Sequence, residues 1–173
     1  PDRAPLCAVF QRGSGASAPL PPTIFERLAA AGARSALLTS GRWEGLGRLA
    51  GAPPGATEAR VERAALELRH FGCSPDREIK AAAEAVDAAV ALVAEDRCPD
   101  LVVVYLHAID GHGHLHGFGC EVPEYRAAIE AVDAMVGRLL AALRARMAAR
   151  GEDWLPGATT DHRGTPPRPV PAE

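Results

Sequence analysis

Leu101-Val-Val-Val-Tyr-Leu106, followed by His107-Ala-Ile-Asp110-Gly-His-Gly-His114-Leu-His-Gly117, is the stretch on which the fold turns. A run that is apolar throughout suits a strand buried on both faces of a parallel sheet, and it is the best central-strand candidate in the chain. The glycine-rich continuation holds four of the six histidines within ten residues and reads as a loop leaving the carboxyl end of that strand. Ligands of open parallel sheets bind beyond such ends. An aspartate there and a histidine four residues on can converge on one cation if the glycines let the backbone turn tightly, and both are ordinary zinc ligands. The same composition also suits a solvated surface turn.

Working outward, Ser74 before Pro75 is a helix start, and Ile79, Ala82, Val86, Val90 and Val93 recur at spacings of three and four until Cys98-Pro99-Asp100 ends the element. Downstream, Tyr125, Ile129, Val132, Val136, Leu139, Leu143 and Met147 form a stripe over residues 123–150, closed by Gly151. Residues 154–160 (WLPGATT) sit where the next strand belongs, with Pro156-Gly157 in their middle, and lead into Asp161-His162. Upstream, residues 23–31 read as a helix capped by Gly32 and residues 35–39 (SALLT) as a strand, half of a parallel crossover unit. Residues 6–10 suit a strand and 11–18 a loop. The glycine-rich stretch 41–56 holds at most a short helix at 44–50, and residues 59–69 read as helical. Strands alternating with helices imply an α/β fold in three layers, a mostly parallel sheet flanked by helices, with three or four strands from this chain.

At 173 residues, 47% hydrophobic and 24% charged, the chain fits one core. A net charge of −3 with scattered arginines argues against a general nucleic-acid or anionic-membrane binder, which needs clustered positive charge. No apolar run reaches the roughly 18 residues of a spanning helix. Cys7, Cys73, Cys98 and Cys120 form no CxxC pair and read as thiols. No basic segment followed by an apolar one opens the chain, which leaves the compartment open. The expectation is one domain over residues 1–163, with order failing in residues 1–20 and in the proline-rich tail 164–173 (GTPPRPVPAE).

Two Asp/His pairs at neighbouring strand ends, Asp110 with His114 and Asp161 with His162, are the raw material of a two-metal centre. The stretches PDLVVVYLHAIDGHGHLHG, EYRAAIEAVDAMVGRLLAAL and EDWLPGATTDH resemble the alkaline-phosphatase superfamily, and most its type I phosphodiesterase and nucleotide pyrophosphatase branch. The resemblance covers residues 99–164 well and residues 21–41 more loosely. It rests on a DxxGHxxG pattern at Asp110, Gly113, His114 and Gly117, then EY, a VDxxVG helix and the DH pair.

The resemblance implies an alkaline-phosphatase-like fold and hydrolysis of a small phosphate ester at two zinc ions, Asp110 and His114 holding one and Asp161 and His162 the other. His112 and His116 match no ligand position and flank the site; Asp133 matches a recurrent aspartate that is not a ligand. The pattern also departs from the family. A further metal-binding aspartate and a Thr or Ser nucleophile expected upstream are not found, the third histidine ligand expected downstream is missing, and Arg163 stands where Gly is usual. Thr23, Thr39 and Ser40 are the remaining nucleophile candidates. Two ligands per ion are too few for zinc, so the expectation is a fragment or an inactive copy. The alternatives are a non-catalytic metal-binding or interaction protein and a mutase of the same superfamily; a Rossmann-like nucleotide domain is disfavoured because no GxGxxG opens a helix. Without a first strand to cover it, an open sheet edge should drive self-association.

Overall fold

The computed structural model describes residues 22–41, 58–61, 66–72, 74–160 and 162. The expected strand at 6–10, the loop at 11–18, the short helix at 44–50, Asp161 and the tail lie outside them. The first helix, α1, spans Ile24–Ala30, and Thr23 caps it. The Thr23 hydroxyl accepts from the Glu26 amide while the Glu26 carboxylate accepts from the Thr23 amide, a reciprocal capping box. The first strand, β1, follows at Ser35–Thr39 as expected.

Of the stretch 59–69, expected to be helical, the described residues 59–61 and 66–69 do not form a helix. They belong to two antiparallel strands, β2 (Glu58–Val61) and β3 (Leu66–His70). Ala, Glu, Leu and Arg favour helices, but Leu66 and Leu68 alternate with Glu67 and Arg69, and burying the two leucines against the sheet overrides the propensity. A 3-10 turn at Pro75–Arg77 then leads into α2, Glu78–Ala94. Ser74 precedes that turn, but its hydroxyl binds the Asp76 carboxylate and caps no backbone amide. The last elements are β4 (Leu101–Tyr105), α3 (Ala108–His116) and α4 (Pro123–Arg150), with Gly151 in the left-handed conformation as the C-cap of α4.

The described sheet has the order β2-β3-β1-β4, with β1 parallel to both β3 and β4. This corrects one expectation: β1, with all five residues buried, occupies the inner position, whereas β4 is an edge strand among the described residues and only half-buried. Alternation distributes the core between two faces. On one, Phe25 of α1 packs on Leu37, Leu66 and Leu68. On the other, Ala85, Ala89 and Leu92 of α2 pack on Ala36 and Leu38. Helices therefore cover both faces of a mostly parallel sheet, the α/β architecture expected from the sequence. Outside α2, the helices α3 and α4 close a further cluster through Ala108, Val132 and Met135. No described helix is long and apolar enough to cross a membrane.

Two further expectations fail. Residues 154–160 form no strand: they have no regular structure and Leu155 is 97% exposed. Pro156 removes a ladder donor and Gly157 weakens what remains. The histidine-rich stretch after β4 is a helix, α3, and not a tight loop. Its glycines at 111 and 113 are buried at close approaches that supply packing in place of propensity.

Candidate functional site

Strands β1, β3 and β4 run parallel to one another on either side of β1, so their carboxyl ends open on one side of the sheet. There the chain places Thr39 at the end of β1 and Ser40 just after it, His70 at the end of β3, and His107 after β4. The junction is tightly built. The Ser40 amide donates to the Tyr105 carbonyl at 2.9 Å, and the Ser40 hydroxyl accepts from the His107 amide at 3.2 Å. Gly41, with φ +91°, lies against His107, where a β-carbon would collide with that side chain.

From this junction α3 runs outward, and its periodicity decides what meets. Residues three and four apart share a helix face, so His107, Asp110 and His114 fall together. The Asp110 Oδ2 atom lies 3.3 Å from His107 Nε2 and 3.5 Å from His114 Nε2. The other oxygen, Oδ1, lies 3.8 Å from Nε2 of His162, which comes from beyond the end of α4. The structure thus gathers three of the four residues singled out from the sequence, Asp110, His114 and His162, while Asp161 lies outside the described residues. Convergence of Asp110 and His114 comes from helical spacing and not from a tight glycine turn.

Below the aspartate lies a group that sequence reasoning missed. Glu78, the first residue of α2, is 7% exposed, and its Oε1 lies 3.3 Å from His107 Nδ1. Its Oε2 lies 3.7 Å from His112 Nδ1, which is itself bonded to the Ala108 carbonyl oxygen at 2.9 Å. Gly111 makes room for this carboxylate, since a β-carbon there would overlap it. Glu78 carries no signal in the sequence: it is a good helix former at a helix start. His107 did carry one, the i, i+3 spacing to Asp110, which becomes legible only once residues 108–116 are taken as a helix.

Among the described residues, the buried atoms Glu78 Oε2, His107 Nδ1 and Asp110 Oδ1 have no hydrogen-bond partner. A buried carboxylate oxygen without a donor costs on the order of 1–3 kcal/mol, more when charged, so these are groups the fold holds ready at a cost. Carboxylate and imidazole are donors that suit a divalent cation. Among the described residues no three such side chains are already arranged to hold a metal ion; the Asp110 contacts are made in pairs.

The nucleophile candidates are all engaged. The Thr23 hydroxyl belongs to the capping box, that of Thr39 is buried and lies 3.0 Å from His70 Nδ1, and that of Ser40 is buried between the Tyr105 carbonyl and the His107 amide. Of the other residues considered, His116 and Asp133 are exposed.

A sequence model of a family described as type I phosphodiesterase / nucleotide pyrophosphatase matches residues 11–151. No curated protein matches the chain.

Proposed function

The chain belongs to the type I phosphodiesterase / nucleotide pyrophosphatase family, within the alkaline phosphatase superfamily, and on that premise we propose that the Asp110 cluster is the metal-binding end of a phosphate-ester site. One observation carries this reading: imidazoles from the end of β4, from α3 and from beyond α4 all approach the one carboxylate of Asp110, at the carboxyl ends of parallel strands. Following the family pattern, Asp110 and His114 would hold one zinc ion, and Asp161 and His162 the second. Zinc bound there would supply Lewis-acid polarisation of a phosphoryl oxygen. The protein's own contribution is to orient the donors and to screen the buried side of the cluster from water through Glu78, Ala108 and Gly111.

Hydrolysis through a covalent intermediate also requires an accessible hydroxyl beside the phosphorus. Thr23, Thr39 and Ser40 are bound up in structural hydrogen bonds, which favours a second reading of this polypeptide as a metal- and ester-binding member of the family without turnover of its own. The expected outcome is zinc uptake, weakened by Asp110→Ala and His114→Ala in calorimetry, with no more than trace hydrolysis of an activated aryl phosphodiester. Identical titrations for wild type and His114→Ala would remove the metal site. Robust turnover abolished by Asp110→Ala would establish a complete enzyme. The open outer edge of β4, unpaired among the described residues, supports self-association as part of the same reading.

A further inference from the structure

The apolar face of α4 loses its bulk toward the end of the helix. Val132, Met135 and Leu139 pack into the cluster shared with α2, but Ala142, Ala145 and Ala149 follow, and their methyl groups leave a gap opposite Val90, Val93 and Ala94. The result is an apolar hollow of about 330 Å³ between the last turns of the two helices. Ion pairs frame it at both ends, Arg138 with Asp87 at 2.7 Å and Arg150 with Asp96 at 2.6 Å. We infer that this hollow receives Leu155 of a second copy of the chain, in a two-fold contact where each copy inserts one leucine into the other. The contact is separate from the β4 edge and from the phosphate-ester site.

Knob and hollow stand side by side. Leu155 is 97% exposed, yet the residue before it is held on two sides: the Trp154 indole N–H donates to Glu152 at 2.7 Å, and the Arg146 guanidinium lies 5.8 Å from the centre of its ring. Arg146 also lines the hollow. A fixed base therefore presents a fully exposed leucine next to the recess that its own chain leaves empty. An isologous contact uses the same patch on both copies and must be self-complementary, and a projection beside a recess meets that condition. An apolar cavity of about 150 Å³ takes up benzene, so the hollow has room for a leucine side chain.

Charge supports the same arrangement. The knob is preceded by Asp153, which is exposed, and the near end of the hollow carries Arg150. Inserting Leu155 around a two-fold axis brings Asp153 of each copy toward the partner's Arg150. The present partner of that arginine, Asp96, is 92% exposed, and such a surface bridge contributes little and is readily exchanged.

A small amphiphile suits the hollow less well. Both lining cations are engaged, Arg146 by Glu152 and two carbonyls and Arg150 by Asp96. An anionic headgroup would have to break one of these bridges, whereas a second copy brings both signs with it.

Sedimentation equilibrium of a Val103→Lys parent, in which the strand edge is blocked, tests the contact. The parent should form a dimer, and Leu155→Asp in that background should raise its dissociation constant at least tenfold; a fully exposed side chain can be replaced with little effect on folding. Ala145→Trp, which fills the hollow, should do the same. A mixture of the two variants should associate more than either alone, because the leucine of one still fits the hollow of the other. Should Val103→Lys or Ala145→Trp fail to fold by circular dichroism, Leu155→Asp against wild type decides alone, and it must lower the weight-average mass. A monomeric parent, a mass unchanged by Leu155→Asp, or a monomeric parent that binds decanoate in the hollow would overturn the inference, and each would leave the phosphate-ester reading untouched.

Discussion

At Gly111 the chain gives up a side chain inside a helix, at an intrinsic cost of about 1 kcal/mol relative to alanine. The return is space: the Glu78 carboxylate occupies the volume a β-carbon would need. Gly111→Ala therefore sets helix propensity against overpacking, and overpacking of a buried, rigid neighbour typically costs about 1–3 kcal/mol. The substitution should lower the unfolding free energy in denaturant titrations, and a more stable variant would show that Glu78 is not seated against α3. At this scale Asp110, His114 and His162 were named from residue type and spacing, and both imidazoles stand near the aspartate, at 3.5 and 3.8 Å. Glu78 was not, because its distinction is burial beside His107, a contact 29 positions away that no local pattern encodes.

Among the elements, a buried cation ties α4 to the end of α2, beside the apolar contacts of Ala82 and Val86 with Val132 and Met135. Arg146, buried near the end of α4, donates to the Val93 and Glu95 carbonyls at 2.7 and 2.6 Å, satisfying the carbonyl end of α2. Its remaining nitrogens grip Glu152 at 2.6 and 2.8 Å, and Trp154 donates to the same carboxylate at 2.7 Å. The Arg146 hydrogen bond, followed by that from Trp154, holds the Glu152 carboxyl below the usual glutamate range. A lowered folded-state value means stability that is fully present above the unfolded glutamate value of about 4.3 and is lost as pH falls through the folded one. Glu152→Gln should thus lower the thermal midpoint at neutral pH, and the gap to wild type should narrow below about pH 4. A constant gap from pH 7 to pH 3 would mean that the pair does not link the helices. The sequence suggested the stripe on α4, yet only Ala128, Val132 and Met135 of its apolar residues are buried, and the buried arginine was not anticipated.

For the molecule as a whole, β4 is decisive. Its side chains are half-buried and its outer edge is unpaired among the described residues, while residues 154–160, the expected neighbouring strand, lie exposed without regular structure. An edge of five apolar residues is a template for another chain. Sedimentation should show weight-average mass rising with concentration, and a lysine at Val103 should suppress the rise if the edge mediates it; a monomer at all concentrations would refute self-association through this strand.

By itself, the sequence determined the elements whose signals are local and agree with one another: the capped helix α1, the strand β1, the spans of α2 and α4, the layered α/β class and the family. Tertiary structure decided what depends on partners distant in the chain. Residues 66–70 became a strand because Leu66 and Leu68 gain more from the sheet than their neighbours gain from helix propensity. The histidine-rich stretch became a helix because Gly111 and Gly113 fit against Glu78 and Phe118. That helical spacing, and not residue type alone, is what brings His107 and His114 each beside Asp110. Local pattern reports what a segment prefers, whereas burial is a property of pairs of segments, and the candidate site is built from the second.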